Sequence, residues 1–415
     1  MPNNILKTCI LGGWVLFAAA GCSDADVIND GDAGGPGSGG AFASGGALTA
    51  GGSMNPSAGK SSTGGGGQAG AVSAGKAGSG SGTGTAGSGS SAGGSGPGAG
   101  GSGAGGAKAT AGAGGKLGNG GAGPEFVGNI TTGFMSGMDQ GTRKFATYWD
   151  QVTPENAGKW GSVQSNAEAA FNWSALDAIY DYAEKNQIIF KEHTFIWGNQ
   201  QPGGTINQEA VQKWMTEFCT RYPNTKLIDV VNEPPPHTTP AYAGNIGGGT
   251  NGDWKWIANA FTWARAACPN AVLILNDYNN IEWANDNSHF IDIVKKIQAL
   301  DAPIDAIGAQ AHDLDHGSVS LATVTKLLGS LNSQTGLPVY ITEMDIDSSD
   351  DARQLDLYKQ YFPLFMGSSY VKGITIWGWV YGQTWSAAPN SGLIRSGTPR
   401  PAMTYLMEQL GRPAP

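Results

Sequence analysis

Charge is scarce in this chain, and basic charge is scarcest. Charged residues make up 14% of it, with 24 Lys and Arg against 33 Asp and Glu and a net charge of −9. With no basic stripe anywhere, that balance excludes a nucleic-acid partner. Cysteine is also rare, at 4 residues, so any covalent stapling comes down to very few pairings. No glycine-rich phosphate turn follows the first strand-like run, which argues against an open dinucleotide-binding sheet. Between roughly residues 31 and 123 apolar side chains are nearly missing, replaced by Gly, Ser, Ala and Thr, and the chain holds 67 glycines. Such a block cannot offset its ordering entropy, so residues 22–124 are expected to form a disordered tether. At the coil scaling of Gly-rich chains, about 90 such residues reach on the order of 50 Å.

What precedes the tether looks like an export signal. Lys7 leads into the apolar run Ile10 to Ala20, which is too short to span a bilayer. It ends in Ala19-Ala20-Gly21-Cys22, which resembles a bacterial lipoprotein signal, with Cys22 as the lipidated residue. The expectation is a signal peptide over residues 1–21 and an outer-membrane or cell-surface lipoprotein; an ordinary secretory signal and a secreted protein are the alternative. A membrane partner is expected only through that lipid. Cleavage removes Cys9, and Cys219 and Cys268 then either pair in an oxidising compartment or stay as separate buried thiols.

From Phe126 onward strand-like runs alternate with helical ones, the pattern of a parallel sheet with crossover helices. Strands are expected at Thr131–Met135, up to Thr153, Ile188–His193, Lys226–Asn232, Ala271–Asn276, Asp305–Gln310, Pro338–Thr342 and Gly373–Trp377. Helices are expected between them, among them Ser174–Asn186 with Ser174 as N-cap, and a last one over Pro401–Leu410. Eight such units over residues 125–415 predict an α/β fold, a (β/α)8 TIM barrel. Polar residues recur at the ends of these strands: Glu155 and Asn156, His193, Asn232 and Glu233, Asn276 and Asp277, Gln310 and His312, and Glu343. On that side of a barrel, strand ends converge on one cleft.

Glu233 and Glu343 end the fourth and seventh strands, on opposite sides of the expected mouth. Two facing carboxylates are what glycoside hydrolysis requires, one as acid/base and one as nucleophile in the retaining form. Trp160, Trp197, Trp377, Trp379 and Trp385 fall on or just after strand ends, and an indole face stacks well on a sugar ring; at least one of them is expected in the core instead. His312-Asp313-Leu314-Asp315-His316 resembles metal-ligand spacing, but it follows a strand and reads as a solvated loop, so neither a metal nor another cofactor is expected.

Six stretches, in order, resemble glycoside hydrolase family 10, the endo-β-1,4-xylanases. They are Thr153-Pro154-Glu155-Asn156-Ala157-Gly158-Lys159-Trp160, His193-Thr194-Phe195-Ile196-Trp197, Asp229-Val230-Val231-Asn232-Glu233, Gly308-Ala309-Gln310-Ala311-His312, Ile341-Thr342-Glu343-Met344-Asp345 and Gly373-Ile374-Thr375-Ile376-Trp377-Gly378. The resemblance implies Glu233 as acid/base, Glu343 as nucleophile and His312 as the residue that orients it. It implies sugar contacts at the cleavage point from Asn232, His193 and Gln310, a grip on the next sugar from Glu155, Asn156 and Lys159, and cleft walls from Trp197, Trp377 and Trp385. It implies a monomer acting on xylan; a xylan-binding lipoprotein with little catalysis, or a glycanase preferring another β-1,4-linked polymer, are the competing expectations. Three places depart from the pattern: Gly198 where His is frequent, Tyr381 where Asp is frequent, and a short Ser391–Pro399 segment.

Overall fold

A computed structural model of the protein describes residues 123–131, 138–248 and 252–415. The expected signal peptide, Cys22 and nearly all of the expected tether lie outside the described residues, as does most of the expected strand Thr131–Met135. The strand that opens the sheet instead runs just before it, as β1 (Val127–Ile130). Gly128 masked it in the sequence, yet a side chain there would overlap Gln151, so β1 can lie beside its neighbour only with glycine.

The remaining strands are β2 (Gln151–Thr153), β3 (Ile189–Ile196), β4 (Leu227–Asn232), β5 (Val272–Asp277), β6 (Ala306–Ala309), β7 (Val339–Met344) and β8 (Val371–Ile376). Each pairs in parallel with the next, and β1 pairs with β8 at Val127 opposite Ile374, which closes an eight-stranded barrel. Between strands run α1 (Phe145–Tyr148), α2 (Trp160–Val163), α3 (Ser174–Asn186), α4 (Gln208–Arg221), α5 (Lys255–Ala267), α6 (Ala284–Gln298), α7 (Leu321–Thr335) and α8 (Asp351–Gly367), and α9 (Pro401–Gln409) follows β8. No helix among the described residues is long and apolar enough to cross a membrane.

Local chemistry explains the helix ends. Asn207, Ser320 and Asp350 each accept a backbone N–H in the first turn of α4, α7 and α8. Ser174 does not cap α3 as expected; it opens the helix, and its N–H and hydroxyl both donate to Asn172 Oδ1, at 3.2 and 2.7 Å. Phe126 plugs the N-terminal end of the barrel, stacked on Tyr340 and packed with Leu227, Ile274 and Ala306. Cys219 at the end of α4 and Cys268 just past α5 form a disulfide, with Cα atoms 5.5 Å apart, which decides between the two cysteine readings.

The register is broken in four strands: in β3 between His193 and Ile196, in β4 between Asp229 and Val231, in β7 between Ile341 and Met344, and in β8 between Val371 and Gly373. Bulges interrupt strict alternation and re-aim side chains. The effect is visible in β7, where the consecutive residues Thr342 and Glu343 both bond to the same side chain, Asn276, rather than pointing to opposite faces.

Candidate active site

Glu233 follows β4 directly. Its backbone takes a left-handed conformation, φ 51°, which turns the chain out of the strand. Its N–H donates to Asn276 O at 2.8 Å, and its carbonyl accepts from Thr238 Oγ1 at 2.7 Å. The side chain is held by neutral donors. Trp197 Nε1 donates to Oε2 at 2.7 Å, while Asn232 Nδ2 and Gln310 Nε2 approach Oε1 at 3.3 and 3.4 Å. Burial pushes this carboxyl above its ordinary range, and the Glu343 charge adds to that; the bonds from Trp197 and Gln310 pull the other way without cancelling it.

Glu343, inside β7, is surrounded by donors and positive charge. Asn276 Nδ2 donates to its Oε1 at 2.7 Å, and His312 Nε2 stands 3.3 Å from its Oε2. His193 Nδ1 is 3.9 Å from Oε1. Burial alone would raise this carboxyl, but His193, His312 and Lys191 outweigh it and hold it down at about 2. His312 faces a second carboxylate, with Nδ1 2.9 Å from Asp345 Oδ1. Only the protonated ring offers two N–H donors to two carboxylates, and the two acids raise the imidazole well above its ordinary value despite its burial.

The link between the two glutamates is Asn276, at the end of β5. Its amide donates to Asn232 Oδ1 at 2.8 Å as well as to Glu343, and its oxygen accepts from Thr342 Oγ1 at 2.6 Å. Gln310 Nε2 donates to the same Asn232 oxygen at 3.1 Å. Sequence reasoning placed Asn276 among the strand-end polar residues without a role. The signal that it mattered was Gly308 on the adjacent β6, where any side chain would overlap Asn276 Oδ1. Beneath this layer lie two residues that sequence reasoning gave no role, Lys191 and Asp229. Lys191 and His193 alternate inward on β3 and both reach Asp229 Oδ2, at 2.5 and 2.9 Å, all three buried. Asp229 thereby fixes the His193 ring beside Glu343.

The other expected residues divide. Lys159 Nζ donates to Asn156 Oδ1 at 3.0 Å and sits 4.7 Å above the Trp197 ring, so Asn156, Lys159 and Trp197 form one polar wall. Gln200 joins it, donating to Asn156 Oδ1 at 3.3 Å. Glu155 is buried beside them, and burial raises its carboxyl against the pull of Lys159. Trp385 Nε1 donates to Asp345 Oδ2 at 2.8 Å, with its ring 4.7 Å from His312, while Trp377 meets both His193 and His312 edge-on.

Two tryptophans are core, not cleft. Trp160 stacks on Trp214 with rings 5.9 Å apart, and Trp379 lies fully buried among Phe145, Tyr148 and Trp149. Being near a strand end did not reveal which face each indole presents. Beyond Glu233, His237 stacks on Tyr278 at 3.8 Å and bonds Asp277 Oδ1 at 2.7 Å, a pair not singled out in the sequence. Tyr381 is engaged rather than free, donating to Asn390 with the Arg395 and Arg400 guanidinium groups over its ring. In the His312–His316 stretch the side chains diverge: Asp313 accepts from Trp283 and Asp315 from the Asp347 N–H. His193, Asp229 and Glu343 do bring one ligand atom each within 4.8 Å of one another, but the Lys191 ammonium already balances the charge there.

A closed parallel barrel carrying two glutamates driven in opposite directions from the ordinary carboxyl value at its C-terminal mouth defines a barrel glycoside hydrolase centre. The family model Glycosyl hydrolase family 10 matches residues 121–408, and the chain belongs to that family. Endo-1,4-beta-xylanase B of Cellvibrio japonicus is 43% identical over 290 residues, covering 68% of this chain and 45% of the relative, so this chain spans less than half of that protein's length. Endo-1,4-beta-xylanase B of Thermotoga neapolitana is 29% identical over 286 residues, covering 62% of this chain and 80% of the relative. In fold the chain is similar to xylanase 10B from Thermotoga petrophila RKU-1 solved with xylobiose, at TM-score 0.59 and 24% identity over 69% of this chain and 94% of that one.

Proposed function

We propose that this protein is an endo-1,4-β-xylanase that cleaves internal β-1,4-xylosidic bonds with retention. The observation that carries the reading is the opposite drive on two like residues: Glu233 raised by burial among neutral donors, Glu343 lowered to about 2 among cations. In the first step the Glu343 carboxylate attacks the anomeric carbon. The glycosidic C–O bond breaks, the leaving oxygen takes the Glu233 proton, and a glycosyl ester remains. In the second, Glu233 takes a proton from water, the water oxygen attacks the anomeric carbon, and Glu343 is released. Asn276 and His312 keep Glu343 aimed throughout, and His193, Asn232 and Gln310 border the space where the cleaved sugar lies. Glu155, Asn156 and Lys159 receive the next sugar, against Trp197.

Support for the substrate comes from the two relatives that bear the xylanase name. Reducing ends should appear rapidly on linear xylan with a fall in viscosity, and NMR should detect the β-anomer first. The α-anomer appearing first would refute double displacement. A clear preference for cellulose would move the substrate to another β-1,4 polymer, and binding of xylan without cleavage would favour the non-catalytic lipoprotein.

For location, our reading is an exported monomer anchored through lipid on Cys22. Lys7, the short apolar run and Ala19-Ala20-Gly21-Cys22 support it. Cys22→Ser should release the protein from the membrane fraction and abolish labelling by a fatty-acid probe; unchanged partitioning would eliminate the anchor.

A further inference from the structure

A buried carboxyl on β3 takes no part in the proposed reaction. Lys191 and His193 face into the barrel, and Glu192 between them turns to the other side of the sheet, where it is fully buried. Neither of its oxygens has a hydrogen-bond partner among the described residues. Two charged groups act on it. Lys191, on its own strand, is already bonded to Asp229, and Asp229, on β4, carries the wrong sign to help. Burial pushes the Glu192 carboxyl well above its ordinary range and Asp229 adds to that, while Lys191 and the His193 N–H oppose it without prevailing. A carboxylate left dry and unpaired is costly, so the uncharged form is favoured here.

Over this carboxyl lies the loop that carries Glu155, Asn156 and Lys159. A β-carbon at Gly158 would come within 2.7 Å of His193 O and 2.8 Å of Glu192 Oε2, closer than side chains approach. Gly158 is not among the residues with left-handed backbone, so close approach alone calls for glycine there. The loop is pinned on either side of it. The Glu155 N–H donates to Thr131 Oγ1 at 3.2 Å, and the Gly161 N–H donates to Gln200 O at 2.8 Å. Lys159, the one cation of the loop, reaches Asn156 and the Trp197 ring instead of Glu192. Both Glu155 and Lys159 feel the Glu343 charge across the cleft. One face of the loop therefore rests on Glu192 while its polar side chains serve the other.

We propose that Glu192 is a positioning residue for the sugar beside the cleavage point: its uncharged carboxyl is the support on which Gly158 seats the loop of Glu155, Asn156 and Lys159. Ionising it would demand a donor or water beneath Gly158, at the expense of the loop's seat. The inference rests on the reading that these three residues receive that sugar, and two substrates separate the claims. An aryl xyloside fills only the cleavage-point position, whereas an aryl xylobioside also engages the loop, so the ratio of their kcat/KM values reads the loop. Glu192→Ala should lower that ratio about tenfold, mainly through KM on the xylobioside, with less than about a twofold change on the xyloside. Gly158→Ala presses on the same contact from above and should act in the same direction, which tests the seat even where Glu192→Ala does not fold. Glu192→Gln, uncharged and of the same shape, should recover most of the loss. As pH rises, the ratio should fall in the unmodified protein and stay level in Glu192→Gln. An unchanged ratio in every folded Ala variant overturns the positioning role. A loss in Glu192→Gln as large as in Glu192→Ala, or parallel pH profiles, overturns the uncharged support. If the unmodified protein cleaves both substrates with equal kcat/KM, the loop grips no sugar and the inference falls while the two-glutamate chemistry stands; if it cleaves neither, both fall.

Discussion

Glu233 and Glu343 are the same residue type at the mouth ends of β4 and β7, yet their surroundings oppose each other. Around Glu233 the contacts are an indole, two amides and burial, all neutral. Around Glu343 stand His312, His193 and, behind His193, Lys191 on the same strand and Asp229 on the next. Desolvation acts on both and disfavours the charged form of each. What separates them is whether positive charge is supplied to offset it. On the proposed mechanism, the roles of acid and nucleophile belong to the neighbourhood rather than to the residue.

The largest expected effect tests the asymmetry directly. Glu343→Ala should remove roughly five powers of ten in kcat/KM, about 7 kcal/mol, on natural and activated substrates alike. Glu233→Ala should approach that loss on xylan but lose far less on an aryl xyloside, whose leaving group needs no proton. Equal losses on both substrates for both variants would erase the distinction.

Next comes the bridge between the halves. Gly308→Ala inserts a methyl against Asn276 Oδ1 and should lower kcat about 100-fold with KM little changed, since small misplacements at a reacting centre carry that cost. A change confined to thermal stability would make Asn276 merely structural.

The pH profile follows from the same contrast. On the proposed mechanism activity needs Glu343 ionised and Glu233 protonated, so the acid limb should lie near Glu343's value of about 2, and the alkaline limb above 4.5. Stability shares the acid limb. Glu343's folded value lies below its ordinary 4.5, so its contribution is complete above 4.5 and is lost as pH falls toward 2. Thermal melts of Glu343→Gln should show a flatter acid side. The smallest effect is expected of Trp197→Phe. It removes the strongest bond lowering Glu233, so the alkaline limb should move to higher pH with about a fivefold loss in kcat/KM. A downward move would contradict the neutral cage.

The disulfide offers a contrast outside the site. Its 49-residue span predicts about 4 kcal/mol of stability lost in Cys219→Ala/Cys268→Ala, with kcat retained, as guanidinium melts and assays would show.

Much of this was legible along the chain. Helix α4 falls at Gln208–Arg221 and α3 at Ser174–Asn186, as periodicity indicates, because a buried stripe repeats every turn. β1 was misplaced because Gly128 hides a strand whose fit is set by Gln151 on its neighbour. Trp160 and Trp379 looked like cleft walls because position at a strand end does not say which way an indole turns.

The sequence by itself determined the barrel, through eight repeats of strand and helix, and the roster of polar residues at its mouth. Each of those follows from local pattern, since period and punctuation are carried by neighbours in the chain. Only the tertiary structure decided that Cys219 meets Cys268, that Asn276 joins the two glutamates, that Lys191 and Asp229 support His193, and that Glu233 is pushed up from the ordinary carboxyl value while Glu343 is pulled down. These depend on bulges in four strands and on contacts between residues tens to hundreds of positions apart, where charge and burial act through space and not along the chain.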